Sequence, residues 1–104
     1  MGLFGSSKKQ EAATVKIDYF FTPEALAQVR QVLESKFSTG AYGIRFSDEA
    51  KYLLEATKDP DRIYDKKEVR KLIYSAGVMT KVEPSIEPAL QTAIDKFNAT
   101  KNMF

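Results

Sequence analysis

Hydrophobic and polar positions alternate over residues 14–21, where Val15, Ile17, Tyr19 and Phe21 fall on one side and Lys16 and Asp18 on the other. β-Branched and aromatic residues at period two predict a half-buried strand. The period then changes. Leu26, Val29, Leu33 and Phe37 recur at helical spacing, with Gln28, Arg30, Gln31, Glu34 and Lys36 elsewhere on the wheel. The start of this helix is marked: Thr22 offers a capping hydroxyl, Pro23 suits the first helical position, and Glu24 complements the positive end of the dipole. Gly40 stands where a left-handed residue closes a helix. Alternation resumes over 41–46, with Tyr42, Ile44 and Phe46 on one face. Gly43, on the other face, suits a bulge or a close neighbour. If the two strands are parallel in one sheet, the intervening helix is a right-handed crossover covering the apolar face.

Three further helices follow. Ser47-Asp48-Glu49 reads as a cap with two acids in the first turn, and Ala50, Leu53, Leu54 and Thr57 form an inner face that ends at Asp59-Pro60-Asp61. Asp65 and Glu68 have the reciprocal capping-box spacing, and Tyr64 can staple onto Val69. Val69, Leu72, Ile73 and Ala76 continue that helix, which Gly77 is expected to close. Val78, Thr80 and Val82 alternate weakly and predict a short edge strand. The last helix opens at Pro84-Ser85-Ile86-Glu87-Pro88, with Ser85 as cap and Pro88 in the first turn, where its missing N–H costs nothing. Its inward stripe is Ile86, Leu90, Ala93, Ile94 and Phe97.

The order strand, helix, strand, helix, helix, short strand, helix predicts an α+β fold, a small two-layer domain with helices over one face of a sheet. One domain is expected over 14–100, preceded by a flexible or partner-docking tail at 1–13 and followed by a short tail at 101–104. With 43% apolar residues in 104, the chain can bury a modest core.

Composition narrows the chemistry. There is no cysteine and no histidine, which removes disulfides, thiol nucleophiles, the commonest general base and the commonest transition-metal ligand. Ser47, Ser75 and Ser85 have structural explanations at helix ends. No Gly-x-Ser-x-Gly, phosphate-binding glycine loop or metal-ligand spacing occurs. Asp59-Pro60-Asp61 supplies two carboxylates, short of a calcium loop's oxygen count, and reads as a turn. No catalytic residue, metal site or cofactor is therefore assigned, and the protein is expected not to be an enzyme. No apolar run reaches transmembrane length and no secretory leader is read, so a soluble protein, cytoplasmic or otherwise intracellular, is expected. Asn98-Ala99-Thr100 matches a glycosylation sequon without an export signal to support it.

Two surfaces remain as candidates. The helix around 62–74 carries Lys66, Lys67, Arg70, Lys71 and Tyr74, with Arg62 just upstream, a face suited to phosphates or an acidic partner. A solvated helix face accounts for the same residues, and a net charge of +2 is low for a nucleic-acid binder. The second set is apolar: Leu3 and Phe4 near one end, Met103 and Phe104 at the other, and Phe20, which points away from the apolar side of its own strand. These residues fit protein contact. The sequence is thus read as a non-enzymatic structural or adaptor subunit working by protein–protein contact in a larger assembly. The alternative is a weak, sequence-nonspecific nucleic-acid binder using the basic helix. Met1-Gly2-Leu3-Phe4-Gly5-Ser6 fits the N-myristoylation pattern, but lipid-assisted membrane contact through the N-terminus ranks below both.

Overall fold

The computed structural model describes residues 14–40, 46–100 and 102. Four helices account for most of them: α1 (Pro23–Ser38), α2 (Ser47–Lys58), α3 (Lys66–Val82) and α4 (Glu87–Thr100), with 3₁₀ turns at Ile17–Tyr19 and Pro84–Ile86. Among the described residues there is no strand, only an isolated antiparallel bridge between Val15 and Tyr64. The fold is all-α, which overturns the expected α+β arrangement.

Each expected strand has its own outcome. Over 14–21 the chain turns into a 3₁₀ helix, and Ile17, Phe20 and Phe21 all enter the core. Those three positions are i, i+3 and i+4, a helical spacing hidden inside a run that also alternates. Val15 keeps extended hydrogen bonds, donating to the Tyr64 carbonyl at 3.1 Å and accepting from the Tyr64 N–H at 2.8 Å, but among the described residues no strand prolongs the ladder. In the second run, 41–45 lie outside the described residues, and Phe46 is the turn residue preceding α2. The third, Val78–Val82, is the last part of α3. Gly77 does not end that helix, because Met79 continues the buried stripe of Val69, Leu72 and Ala76. Packing outweighs the weak β-preference of two valines and a threonine.

The helix signals hold at several ends. The Ala25 N–H donates to Thr22 Oγ1 at 3.1 Å, and Gly40 has φ +69° with its N–H on the Phe37 carbonyl at 3.0 Å. The capping box is complete, with the Glu68 N–H on Asp65 Oδ1 at 2.9 Å and the Asp65 N–H on Glu68 Oε1 at 3.0 Å. Ser47, by contrast, is the first residue of α2 and not its cap. Ser85 lies in the 3₁₀ turn before α4, its hydroxyl donating to Glu83 at 3.0 Å.

α3 lies at the centre, packed against α4 on one side and α2 on the other, while α1 packs on α2. The core collects Val29 and Leu33 from α1, Leu53 from α2, Leu72 and Met79 from α3, and Leu90 from α4. Burying each such side chain contributes roughly 1.5–3 kcal/mol. Lys96 of α4 holds its ammonium 4.0 Å from the Tyr19 ring, tying the opening segment to the last helix.

Candidate functional site

α3 has 17 residues and is therefore about 25 Å long. One side of it faces the core; beside that side run Lys67, Lys71, Tyr74, Val78 and Val82, spaced by four, three, four and four residues, with Val78 and Val82 half-buried against the core. At 3.6 residues per turn this spacing is a single stripe along the helix. Its first half is cationic, its second half apolar, and Tyr74 stands between them, 65% exposed.

A groove runs along each flank of the stripe, and Tyr74 borders both. The groove between α3 and α4, about 900 Å³, is lined by Val78, Val82 and Ile94 with Gly77 in its wall and Phe46 at one side. Lys81 and Gln91 supply its polar rim. The groove between α2 and α3, about 470 Å³, is polar: Asp48, Glu49 and Glu55 face Arg62, Lys71 and Tyr52.

The basic residues are not equivalent. Lys66, Lys67, Arg70 and Lys71 are exposed. Lys71 sets its ammonium 4.7 Å from the Tyr52 ring centre. Arg62 is held internally: its guanidinium donates to the Glu68 carboxylate and lies 4.7 Å from the Tyr64 ring. The Glu68 hydrogen bond holds the Arg62 pKa above its ordinary value. The Glu68 carboxyl is held below its ordinary value, first by the Asp65 backbone N–H and then by Arg62. Burial pushes the Tyr52 phenol up, an effect the nearby Arg62 charge partly offsets. Arg62 is thus part of the scaffold that starts α3, and the lysines form the open cationic surface.

Of the residues expected to make protein contact, Phe20 is in the core, 4% exposed, with its ring edge-on to Tyr19 at 5.0 Å. Its burial gives it a structural role. Leu3, Phe4, Met103 and Phe104 lie outside the described residues. Ile94 packs against the core as its place on the inward stripe predicts, and Val78 and Val82 do so too; that all three also line a groove was not read from the sequence. The signal was available for the two valines, since the spacing from Lys67 to Val82 keeps the helical period once the helix continues through Gly77.

Asp59-Pro60-Asp61 forms a turn in which the Arg62 N–H donates to the Asp59 carbonyl at 3.2 Å and Asp61 pairs with Lys16 at 3.9 Å. Among the described residues no three acidic side chains are grouped to hold a metal ion, and no helix is long and apolar enough to cross a membrane. Compared with protein-family models, curated proteins and solved structures, the chain matches none.

Proposed function

We propose that this protein is a non-enzymatic adaptor or structural subunit that docks a protein partner on the outer face of α3, centred on Tyr74. The observation that carries this reading is the placement of Tyr74, a large aromatic 65% exposed on the ridge between an apolar groove and a polar one. Protein interfaces have this anatomy: an aromatic anchor, apolar surface beside it and a polar rim. A chain with neither histidine nor cysteine, and no assigned nucleophile and base, supports a binding role over a catalytic one. An intracellular setting belongs to the same proposal.

The electrostatics favours a protein partner over a nucleic acid. Asp48, Glu49 and Glu55 line the groove beside Lys71, and a phosphate backbone laid across α3 would meet them. The test is co-purification of the untagged protein from its own source, with and without nuclease, comparing the unmodified chain with Tyr74→Ala and Val78→Asp. A stoichiometric protein partner should survive nuclease and weaken by about tenfold or more with Tyr74→Ala, the range of an interface anchor. A partner retained undiminished by both variants would move the interface elsewhere. Recovery of DNA or RNA, with a log–log salt slope falling by about one for each lysine removed, would replace this reading with the nucleic-acid one.

A further inference from the structure

We infer that the partner segment docking on α3 is an amphipathic helix that sets acidic residues against Lys67 and large apolar residues into the α3–α4 groove. This rests on the α3 docking reading and specifies the chemistry of its partner.

Three observations converge on it. The first is the division of the stripe: two lysines, then Tyr74, then Val78 and Val82, with Ile94 of α4 as the opposite wall. From Lys67 to Val82 the stripe extends over about 22 Å at 1.5 Å per residue, so a helix of about 15 residues matches its length. Such a helix lays i, i+3, i+4 and i+7 anchors into a groove. Lys81 on the rim adds a cation for an acid flanking the apolar anchors. The acids Asp48, Glu49 and Glu55 line the other flank, where they repel an acidic segment and direct it toward α4.

The second observation is that the cations oppose the helix that carries them. Lys66 and Lys67 are the first two residues of α3, at the positive end of its dipole. Lys66 with Arg70 and Lys67 with Lys71 are like charges at i and i+4, an arrangement that weakens a helix. Lys71 is engaged by the Tyr52 ring, but helix stability does not account for Lys67 at this end of α3; an acidic counterpart does.

The third is Gly77, a residue in the interior of α3 and in the wall of the apolar groove. Glycine weakens a helix interior. A Cβ built there meets nothing within 4 Å, so no packing within the described chain requires its absence. The missing side chain suits the close approach of another backbone. Departures from local preference gathered along one helix are what a functional surface leaves in it.

The experiment uses the isotope-labelled full chain and three synthetic 15-residue helical peptides: one with glutamates at one end of its stripe and leucines at the other, one with the glutamates replaced by glutamine, and one with lysine there. The acidic peptide should shift the Tyr74, Val78 and Ile94 resonances and bind at least tenfold more tightly than the glutamine peptide at low ionic strength, with the lysine peptide weaker still. Lys67→Glu should weaken the acidic peptide while raising the chain's thermal midpoint, two changes of opposite sign that a merely structural lysine would not produce together. Gly77→Ala should likewise raise the midpoint and weaken the peptide at least severalfold.

Equal binding of the acidic and glutamine peptides at Tyr74 and Val78 would overturn the acidic chemistry and leave α3 docking intact. The absence of shifts at those residues with all three peptides would overturn the partner's helical form, while the Tyr74→Ala co-purification separately judges the face. Concentration-dependent dimerisation abolished by Tyr74→Ala would assign the face to a second copy. Movement of the Tyr74 and Val78 resonances by Leu3→Ala/Phe4→Ala, without peptide, would assign it to the chain's own N-terminal segment. Either result would overturn the inference.

Discussion

Tyr64 combines complete burial with an unpartnered hydroxyl. Its side chain is 0% exposed, its backbone bridges Val15, and the Arg62 guanidinium covers its ring. Among the described residues its phenolic oxygen is buried without a hydrogen-bond partner. A buried polar group in that state costs about 1–3 kcal/mol. Tyr64→Phe keeps the ring and its packing and removes the unpaired group, so it should stabilise the protein by about 1 kcal/mol in urea unfolding. Next to it, Glu68 gives stability an acid dependence. Its folded pKa lies below the ordinary 4.5, so its contribution is fully present above the unfolded value and is lost as pH falls through the lower folded value. Glu68→Gln should therefore flatten the acid limb of the stability–pH curve below about pH 4.5, measured by denaturant midpoints at a series of pH values. The capping-box spacing of Asp65 and Glu68 is legible in the sequence; the third partner, Arg62, six residues from Glu68, becomes visible only when the turn folds back.

At the scale of the element, α3 is the informative helix. Its start is specified locally: Asp65→Ala removes the side-chain bond to the Glu68 N–H and should cost about 1 kcal/mol. Its end is not. Glycine followed by alternating Val78, Thr80 and Val82 resembles a helix stop and a strand, yet the helix runs on to Val82. Thr80 satisfies its hydroxyl by donating to the Gly77 carbonyl at 2.8 Å, and Met79 anchors this last part in the core. Gly77→Ala should stabilise the protein by roughly 1 kcal/mol, a rise of about 4–8 °C in Tm for a chain of this size. Because the helix extends past Gly77, Val78 and Val82 join the lysines on one face, and two surfaces that look unrelated in the sequence become one stripe. The same lesson applies to residues 14–21. A short run that satisfies both period two and the i, i+3, i+4 spacing is decided by its neighbours, and here no second strand is present among the described residues to receive it.

The whole molecule is held by one core into which all four helices contribute. Leu33 of α1 and Leu72 of α3 are essentially unexposed, and replacing either by alanine should cost about 2–5 kcal/mol, measured as a fall in the denaturant midpoint at unchanged slope. α1 is also tied to the α3–α4 corner. Lys36 pairs with Glu83 at 3.6 Å, and Gln28 donates to the Ser85 carbonyl at 3.5 Å. This scaffold fixes the angle between α3 and α4 and with it the apolar groove beside Tyr74.

Neighbouring residues alone set the local grammar of the chain. Thr22-Pro23, Gly40 and the Asp65–Glu68 pair mark helix ends through bonds that span three or four residues, so nearby residues suffice to predict them. The inner faces of the helices were legible for the same reason, since burial repeats with the helical period. Packing chose between sheet and helix for residues 14–21 and 78–82, because that choice depends on what lies across from each run. It also decided that Phe20 is core and that Tyr74 stands between two grooves. A groove belongs to a pair of helices, and the packing of α3 against α4 brings Val78 and Ile94 together from positions 16 residues apart.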